Sequence, residues 1–247
     1  MAEQPPNPLP WPTEDFSVYG PVEAKPIGRV QGIVARVMHR NWVSIPHVTH
    51  HDDVDITDFE RRRKPWNAAH TDAKITLLAA LVKAAVAALQ RLPQFNTSFS
   101  ADGATLFAKK YFHIGIAVDV NGGLLVPVLR QCDQQSIGQI GADIARVSAK
   151  ARTKGLSVAE MSGGCFTLSS LGHIGGTGFT PIINAPEVAI LGVCRIQERF
   201  RPDAAGLPVL RQLLPLSLSY DHRVINGADA ARFVRAMARW LDQYDFG

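Results

Sequence analysis

Leu216-Ser217-Leu218-Ser219-Tyr220-Asp221-His222-Arg223-Val224-Ile225-Asn226-Gly227 decides the reading of this chain. Apolar and small polar residues alternate up to Tyr220, the two-residue period of a buried strand. The strand ends in Asp-His-Arg, and Asn226-Gly227 then opens an alanine-rich helix. A histidine at a strand end is held by rigid backbone and faces whatever cleft the loops form. An imidazole, titrating ordinarily near ~6.5, exchanges protons readily with a weak acid such as a thiol, so His222 is the candidate general base. The structural alternative is a hydrogen-bonded histidine beside a helix cap, with Asn226 as N-cap and Asp229 completing a capping-box-like pair.

Residues 163–193 read GGCFTLSSLGHIGGTGFTPIINAPEVAILGV. An apolar run, Cys165 to Leu168, delivers Ser169 and Ser170 into a loop with glycines at 172, 175, 176 and 178. Two more apolar runs follow, separated by Asn184-Ala185-Pro186. The glycines let a ligand or a second chain approach the backbone closely. A hydroxyl at such a mouth can donate a hydrogen bond to a developing oxyanion; it can equally bond its own turn.

Together the two segments resemble the catalytic domain of the dihydrolipoamide acyltransferases, core components of 2-oxo acid (pyruvate) dehydrogenase complexes. The resemblance runs from about Val22 to Leu241. It includes Ile45-Pro46-His47-Val48-Thr49 and Gly123-Leu124-Leu125-Val126-Pro127-Val128, and 165–193 is most similar to the acetyl-transferring bacterial type. It implies a chloramphenicol-acetyltransferase-like fold and reversible acetyl transfer between the 8-thiol of dihydrolipoamide and coenzyme A. His222 would be the base. Ser169, rather than Ser170, would be the oxyanion donor, because the family reads Phe-Thr-aliphatic-Ser there. Arg63 matches a family arginine near the coenzyme A phosphates, and Asp119 lies beside the family's active-site channel. Asn226 departs from the commoner His-x-x-x-Asp-Gly, so a charge relay is not expected and an orienting hydrogen bond is. Exchange of one thioester for another needs no metal and no covalent enzyme intermediate.

The resemblance also implies a homotrimer whose channel runs between two subunits, with the histidine from one chain and the serine from its neighbour. Larger cubic shells in the family rest on an apolar C-terminal tail. Here that tail has only Tyr244 and Phe246 to bury, so the trimer is the firmer expectation. Other components of such a complex are the expected partners.

The 247 residues, 46% hydrophobic, suffice for one large domain. Ile75 to Leu89, the longest apolar run, is interrupted by Lys83 and reads as a buried helix, not a membrane span. No signal-peptide pattern opens the chain. Cys132, Cys165 and Cys194 are widely spaced in apolar settings, as expected of reduced thiols in a cytoplasmic protein. A net charge of +4 lacks the dense basic stripe of a nucleic-acid binder. The basic clusters are Arg61-Arg62-Arg63-Lys64 and Lys109-Lys110; they suit solvated faces or an anionic cofactor.

Five prolines in residues 1–12 mark a linker, and we divide the chain into an N-terminal arm, 1–20, and a catalytic domain, 21–247. Helices are expected over Val30–Asn41, Thr71–Leu92, Ser136–Lys154 and Ala228–Asp242. Tyr111–Val118 and Leu124–Leu129 read as strands joined at Asn121-Gly122-Gly123, and strands dominate from Cys165 to Tyr220. This mixture predicts an α+β fold: one mixed β-sheet sandwiched with packed helices. His113 is expected inside a strand and His47 after a proline, so both read as hydrogen-bonded, and with His173 they form no metal-ligand spacing. The family's lipoyl domain is not recognisable here, which leaves two other readings open: a free-standing coenzyme A-dependent acyltransferase acting on a small molecule, and a catalytically silent scaffold subunit.

Overall fold

The computed structural model describes residues 12–121 and 123–246; the proline-rich stretch 1–11 lies outside them. Past a single 3-10 turn at Phe16–Val18, the chain enters α1 (Arg29–Ser44), which stops before Pro46 as expected, and then β1 (His47–Asp55). Next come α2 (Thr57–Ala69), α3 (Leu77–Arg91), β2 (Thr97–Phe99), β3 (Leu106–Ala108), β4 (Ile114–Ile116) and β5 (Val118–Val120). β6 (Gly123–Leu125), β7 (Val128–Leu129), α4 (Ile137–Thr153) and β8 (Phe166–Ser170) follow. The chain closes with β9 (Ala189–Val193), β10 (Gln197–Pro202), β11 (Pro208–Asp221) and α5 (Gly227–Gln243).

The main sheet runs β1-β11-β9-β8-β4-β7, with β10 also paired to β11. β8 lies parallel to β4 and β9, and the other pairs are antiparallel, so the sheet is mixed. Its two faces differ. Leu214, Leu216, Leu218 and Tyr220 of β11 join Phe166 and Leu168 of β8 and Leu191 of β9 in the main core, beneath α3 and α5. Five alanines among the buried positions of α3 permit close approach to α5, whose Phe233 stacks on Phe95 at 4.4 Å and Phe166 at 5.3 Å. Each such buried ring contributes about 1.5–3 kcal/mol. The opposite face carries Thr49, Ser217, Ser219 and Thr167. It is covered by the 18-residue crossover 171–188, which contains no strand.

Three expectations need correction. The helix expected from Thr71 starts at Leu77, after a 3-10 turn at Thr71–Ala73. Asn67 holds Ile75 extended by bonding both its N–H (2.8 Å) and its carbonyl (3.0 Å), and Thr76 then caps α3 through Ala79 N–H. The strand expected over Tyr111–Val118 is two short ones. Ala117 leaves the hairpin to donate to the Leu168 carbonyl, so β4–β7 and β5–β6 keep one register but occupy separate sheets. His113 accordingly precedes β4 and is not inside it. Finally, Asp229 does not complete a capping box; its carboxylate pairs with Arg232 at 2.8 Å. By contrast, Ser136 and Gln139 form a reciprocal capping box on α4. All three cysteines are free and buried. No helix among the described residues is long and apolar enough to cross a membrane.

Candidate active site

β11 is flanked by β1 and β9, so the turn that follows it is held by a strand paired on both sides. Asp221, 2% exposed, accepts from the Arg223 guanidinium at 2.6 and 2.9 Å and from Arg223 N–H at 3.0 Å. This local ion pair fixes the turn, and the Arg223 guanidinium also lies 4.6 Å above the Phe99 ring. His222 N–H donates to the Pro46 carbonyl at 3.1 Å, tying the turn to the start of β1. The imidazole projects outward, exposed, with Tyr220 at 5.8 Å and no hydrogen-bond partner among the described residues. Its ring nitrogens are therefore available to a substrate.

Asn226 is the N-cap of α5, its Oδ1 accepting from Asp229 N–H at 3.0 Å. The exposed amide N–H groups have no described partner, so capping uses only half of the side chain. Asn226→Asp is expected to keep the cap and more activity than Asn226→Ala, which loses about 1 kcal/mol of stability. Both should far outperform His222→Ala. Equal turnover of the Ala and Asp variants would leave Asn226 as a cap and nothing more.

Ser169 sits at the end of β8 on the polar face, half-buried, in the row Ser169–Gly192–Ser217–His51 set by strand pairing. The Phe179 ring lies on Gly192: a Cβ there would fall 2.7 Å from the ring. Ser217 Oγ accepts from Phe179 N–H at 3.3 Å and lies 2.9 Å from His51 Nδ1, which pins the crossover against the sheet. Gly176, at φ +87°, takes the left-handed backbone the glycine pattern suggests.

His222 and Ser169 do not meet within one chain. Ser169 is level with Ser217 two strands away, and His222 lies five residues beyond Ser217. That is about 17 Å along the strand and about 10 Å across, roughly 20 Å in all. No rotamer of either side chain bridges such a gap.

Ser170, on the other face of β8, lines a cleft of about 400 Å³ with Leu77, Leu78, His173, Cys194 and Arg195. The start of α3 opens on this cleft, so its unpaired N–H groups and positive dipole end favour an anion there. Arg195 is exposed and makes no hydrogen bond or ion pair to a described residue. Sequence reading passed over it, since a lone arginine between apolar runs carries no motif. Arg63 Nη1 donates to the Ile75 carbonyl at 2.8 Å, beside the same helix end, and its Nε and Nη2 grip the buried Glu60 at 2.7 and 2.8 Å. Two of its five N–H groups remain. The Asp119 side chain, exposed in β5, makes no hydrogen bond or ion pair to a described residue.

Of the rival histidines, His47 and His113 are engaged, whereas His173, exposed on the cleft beside Ser170, has no side-chain hydrogen bond to a described residue. His47 Nδ1 bonds the Ile45 carbonyl at 2.8 Å, and its Nε2 accepts from Ile183 N–H at 2.9 Å. His113 Nδ1 accepts from Gln131 N–H at 3.0 Å. No cluster among the described residues could hold a metal ion.

The architecture is that of chloramphenicol acetyltransferase, matched with a TM-score of 0.58 at 14% identity over 83% of this chain and 94% of that one. More specifically, the family model "2-oxoacid dehydrogenases acyltransferase (catalytic domain)" matches residues 19–246, and the chain belongs to this family. It is 51% identical over 234 residues, 94% of this chain, to the dihydrolipoyllysine-residue acetyltransferase component of the Pseudomonas aeruginosa pyruvate dehydrogenase complex. It is 50% identical over 229 residues to the Azotobacter vinelandii counterpart. The chain spans 43% and 36% of the length of these relatives. A solved structure of Azotobacter vinelandii dihydrolipoamide acetyltransferase matches with a TM-score of 0.90 at 48% identity, covering 95% of this chain and 97% of that one. It was determined to investigate the roles of one serine, one histidine and one asparagine in that enzyme's catalytic mechanism. A structure of the cubic core of a pyruvate dehydrogenase multienzyme complex matches equally well, with a TM-score of 0.90.

Proposed function

We propose that the chain is the catalytic domain of a dihydrolipoamide acetyltransferase, moving an acetyl group between the 8-thiol of dihydrolipoamide and coenzyme A. The observation that carries this is the unpartnered His222 imidazole at the end of a central strand, in a chain of the acyltransferase family. The Azotobacter enzyme was studied at the same three residue types, with its histidine and asparagine four positions apart as His222 and Asn226 are.

His222 accepts the proton of the attacking thiol, whose sulfur forms a bond to the thioester carbon. Ser169 donates a hydrogen bond to the carbonyl oxygen as it becomes negative. When the carbon–sulfur bond to the leaving group breaks, the imidazolium returns its proton to that sulfur. Asn226 orients groups around the imidazole through its free amide. Arg63, Arg195 and the N-terminal end of α3 suit the coenzyme A phosphates, with Asp119 beside the channel.

The roughly 20 Å between His222 and Ser169 supports a channel shared by two subunits of a homotrimer. Phe16, Tyr19, Ile27, Trp42 and Val43, each more than 60% exposed, are the apolar surface such a neighbour would cover. Assembly into a cubic shell has less to draw on. Phe246 packs on Phe59 at 5.4 Å within its own chain, and Arg62 holds the Leu241, Asp242 and Tyr244 carbonyls. The bacterial relatives support a cytoplasmic setting beside the other components of a pyruvate dehydrogenase complex, with the lipoyl group on a separate domain.

The test is direct: acetyl-coenzyme A is mixed with free dihydrolipoamide, and thioester transfer is followed. We expect S-acetyldihydrolipoamide and free coenzyme A in equal amounts. A trimeric preparation that acetylates another acceptor but not dihydrolipoamide would contradict the reading.

A further inference from the structure

Glu187, just before β9, is 3% exposed, and its carboxyl group occupies a slot beside Thr167, which is fully buried. Two glycines make the slot. A Cβ at Gly164 would stand 2.5 Å from Glu187 Oε1, and one at Gly115 would stand 2.6 Å from Thr167 Oγ1. Neither Thr167 Oγ1 nor Glu187 Oε2 has a well-aligned hydrogen bond to a described residue, although the carboxyl lies close enough to the Thr167 and Asn184 side chains for both to oppose the effect of burial on it. Such orphaned buried polar atoms are uncommon in folded proteins and ask for a reason. The charge that acts on this carboxyl is Lys109, just after β3. It makes no ion pair with Glu187; its Nζ binds the Thr97 and Gly164 carbonyls at 3.3 and 3.4 Å. Arg130 packs further out against Gly163, bound to the Ala159 and Ser162 carbonyls. Burial raises the neighbouring Cys165 thiol, which keeps it neutral.

Thr167 and Ser169 lie two residues apart on the same face of β8. We propose that Glu187 is a positioning residue for Ser169, acting through Thr167 to fix the strand that presents the serine hydroxyl; this rests on the acyltransferase reading of the site. The neutral acid is the working form, since it can give its O–H to Thr167 while accepting in return. Burial pushes the Glu187 carboxyl up to about 7, so the neutral form is well populated near neutrality. The backbone bond from Asp221 N–H to the Val188 carbonyl, 2.8 Å, does not involve the side chain, so exchange at 187 leaves the His222 turn in place.

The sign of the linkage follows. A carboxyl raised from 4.5 to about 7 stabilises the fold fully below pH 4.5, and that contribution is lost as pH rises through about 7. The Tm of the wild type should therefore fall relative to Glu187→Gln between those values. Glutamine donates and accepts as the neutral acid does, so Glu187→Gln should keep kcat within about threefold, whereas Glu187→Leu and Thr167→Val should lose about tenfold or more with KM for coenzyme A unchanged. In refolded mixtures, Glu187→Leu should recover activity with His222→Ala, whose serine side is intact, and not with Ser169→Ala. Wild-type kcat in Glu187→Leu, a Gln variant as poor as Leu, or recovery in both mixtures would overturn the assignment. Should Glu187→Leu fail to fold, Thr167→Val is read in the same mixtures with the same outcomes. A wild-type chain without transferase activity would overturn the functional reading and this one with it, and is told apart by needing no variant.

Discussion

His222→Ala is expected to lower kcat by ~10²-fold or more while leaving KM for coenzyme A within about twofold. The imidazole is exposed, so its removal opens no core cavity, and the Asp221–Arg223 pair and the bond to Pro46 still hold the turn. The fold should therefore survive, and the loss should report chemistry, not stability. His51 is the serious competitor, since strand pairing sets it in the same row as Ser169. Its Nδ1 is occupied by Ser217, however, and three strand spacings, about 14 Å, separate the two positions. Retention of more than about a tenth of wild-type turnover would remove His222 as the base and return attention to His51.

Much of this site was legible in the sequence because it rests on local pattern. Alternation along 216–220 identifies a buried strand, and the histidine at its end needs no tertiary knowledge to be noticed, although burial of Ser217 and Ser219 on the polar face emerges only in the fold. α4 and α5 are equally plain, each opened by a side-chain cap. What escaped depends on contacts distant in sequence. α2 has no expectation in the sequence, because Arg61-Arg62-Arg63-Lys64 reads only as a solvated face or an anion-binding cluster, and Pro65 interrupts a helical pattern. In the fold, Arg61 pairs with Asp58, Arg62 grips the C-terminal carbonyls and Arg63 binds Glu60, so the three arginines are engaged on their own helix or against the C-terminal segment. The break before Leu77 is set by Asn67, eight residues from Ile75, which no periodicity could announce. The slot around Glu187 depends on Gly115 and Gly164, whose missing side chains matter only once β4 and β8 are neighbours.

The distance between His222 and Ser169 is the least legible fact and the most consequential. Strand order alone sets it, and it requires the site to be completed by another chain if both residues act on one thioester. Ser169→Ala should lower kcat by ~10²–10³-fold through loss of an oxyanion donor. His222→Ala and Ser169→Ala chains should each be nearly inactive as homotrimers. Unfolded together and refolded, they form mixed cyclic trimers in which one heterologous interface joins an intact histidine to an intact serine, while another joins both lesions. The decisive measurement is turnover of this mixture against mixing ratio, with trimers verified by light scattering and subunit exchange by mass. Recovery to a sizeable fraction of wild-type activity, greatest near equal proportions, is the predicted result. A flat, inactive curve from fully exchanged trimers would contradict the shared site.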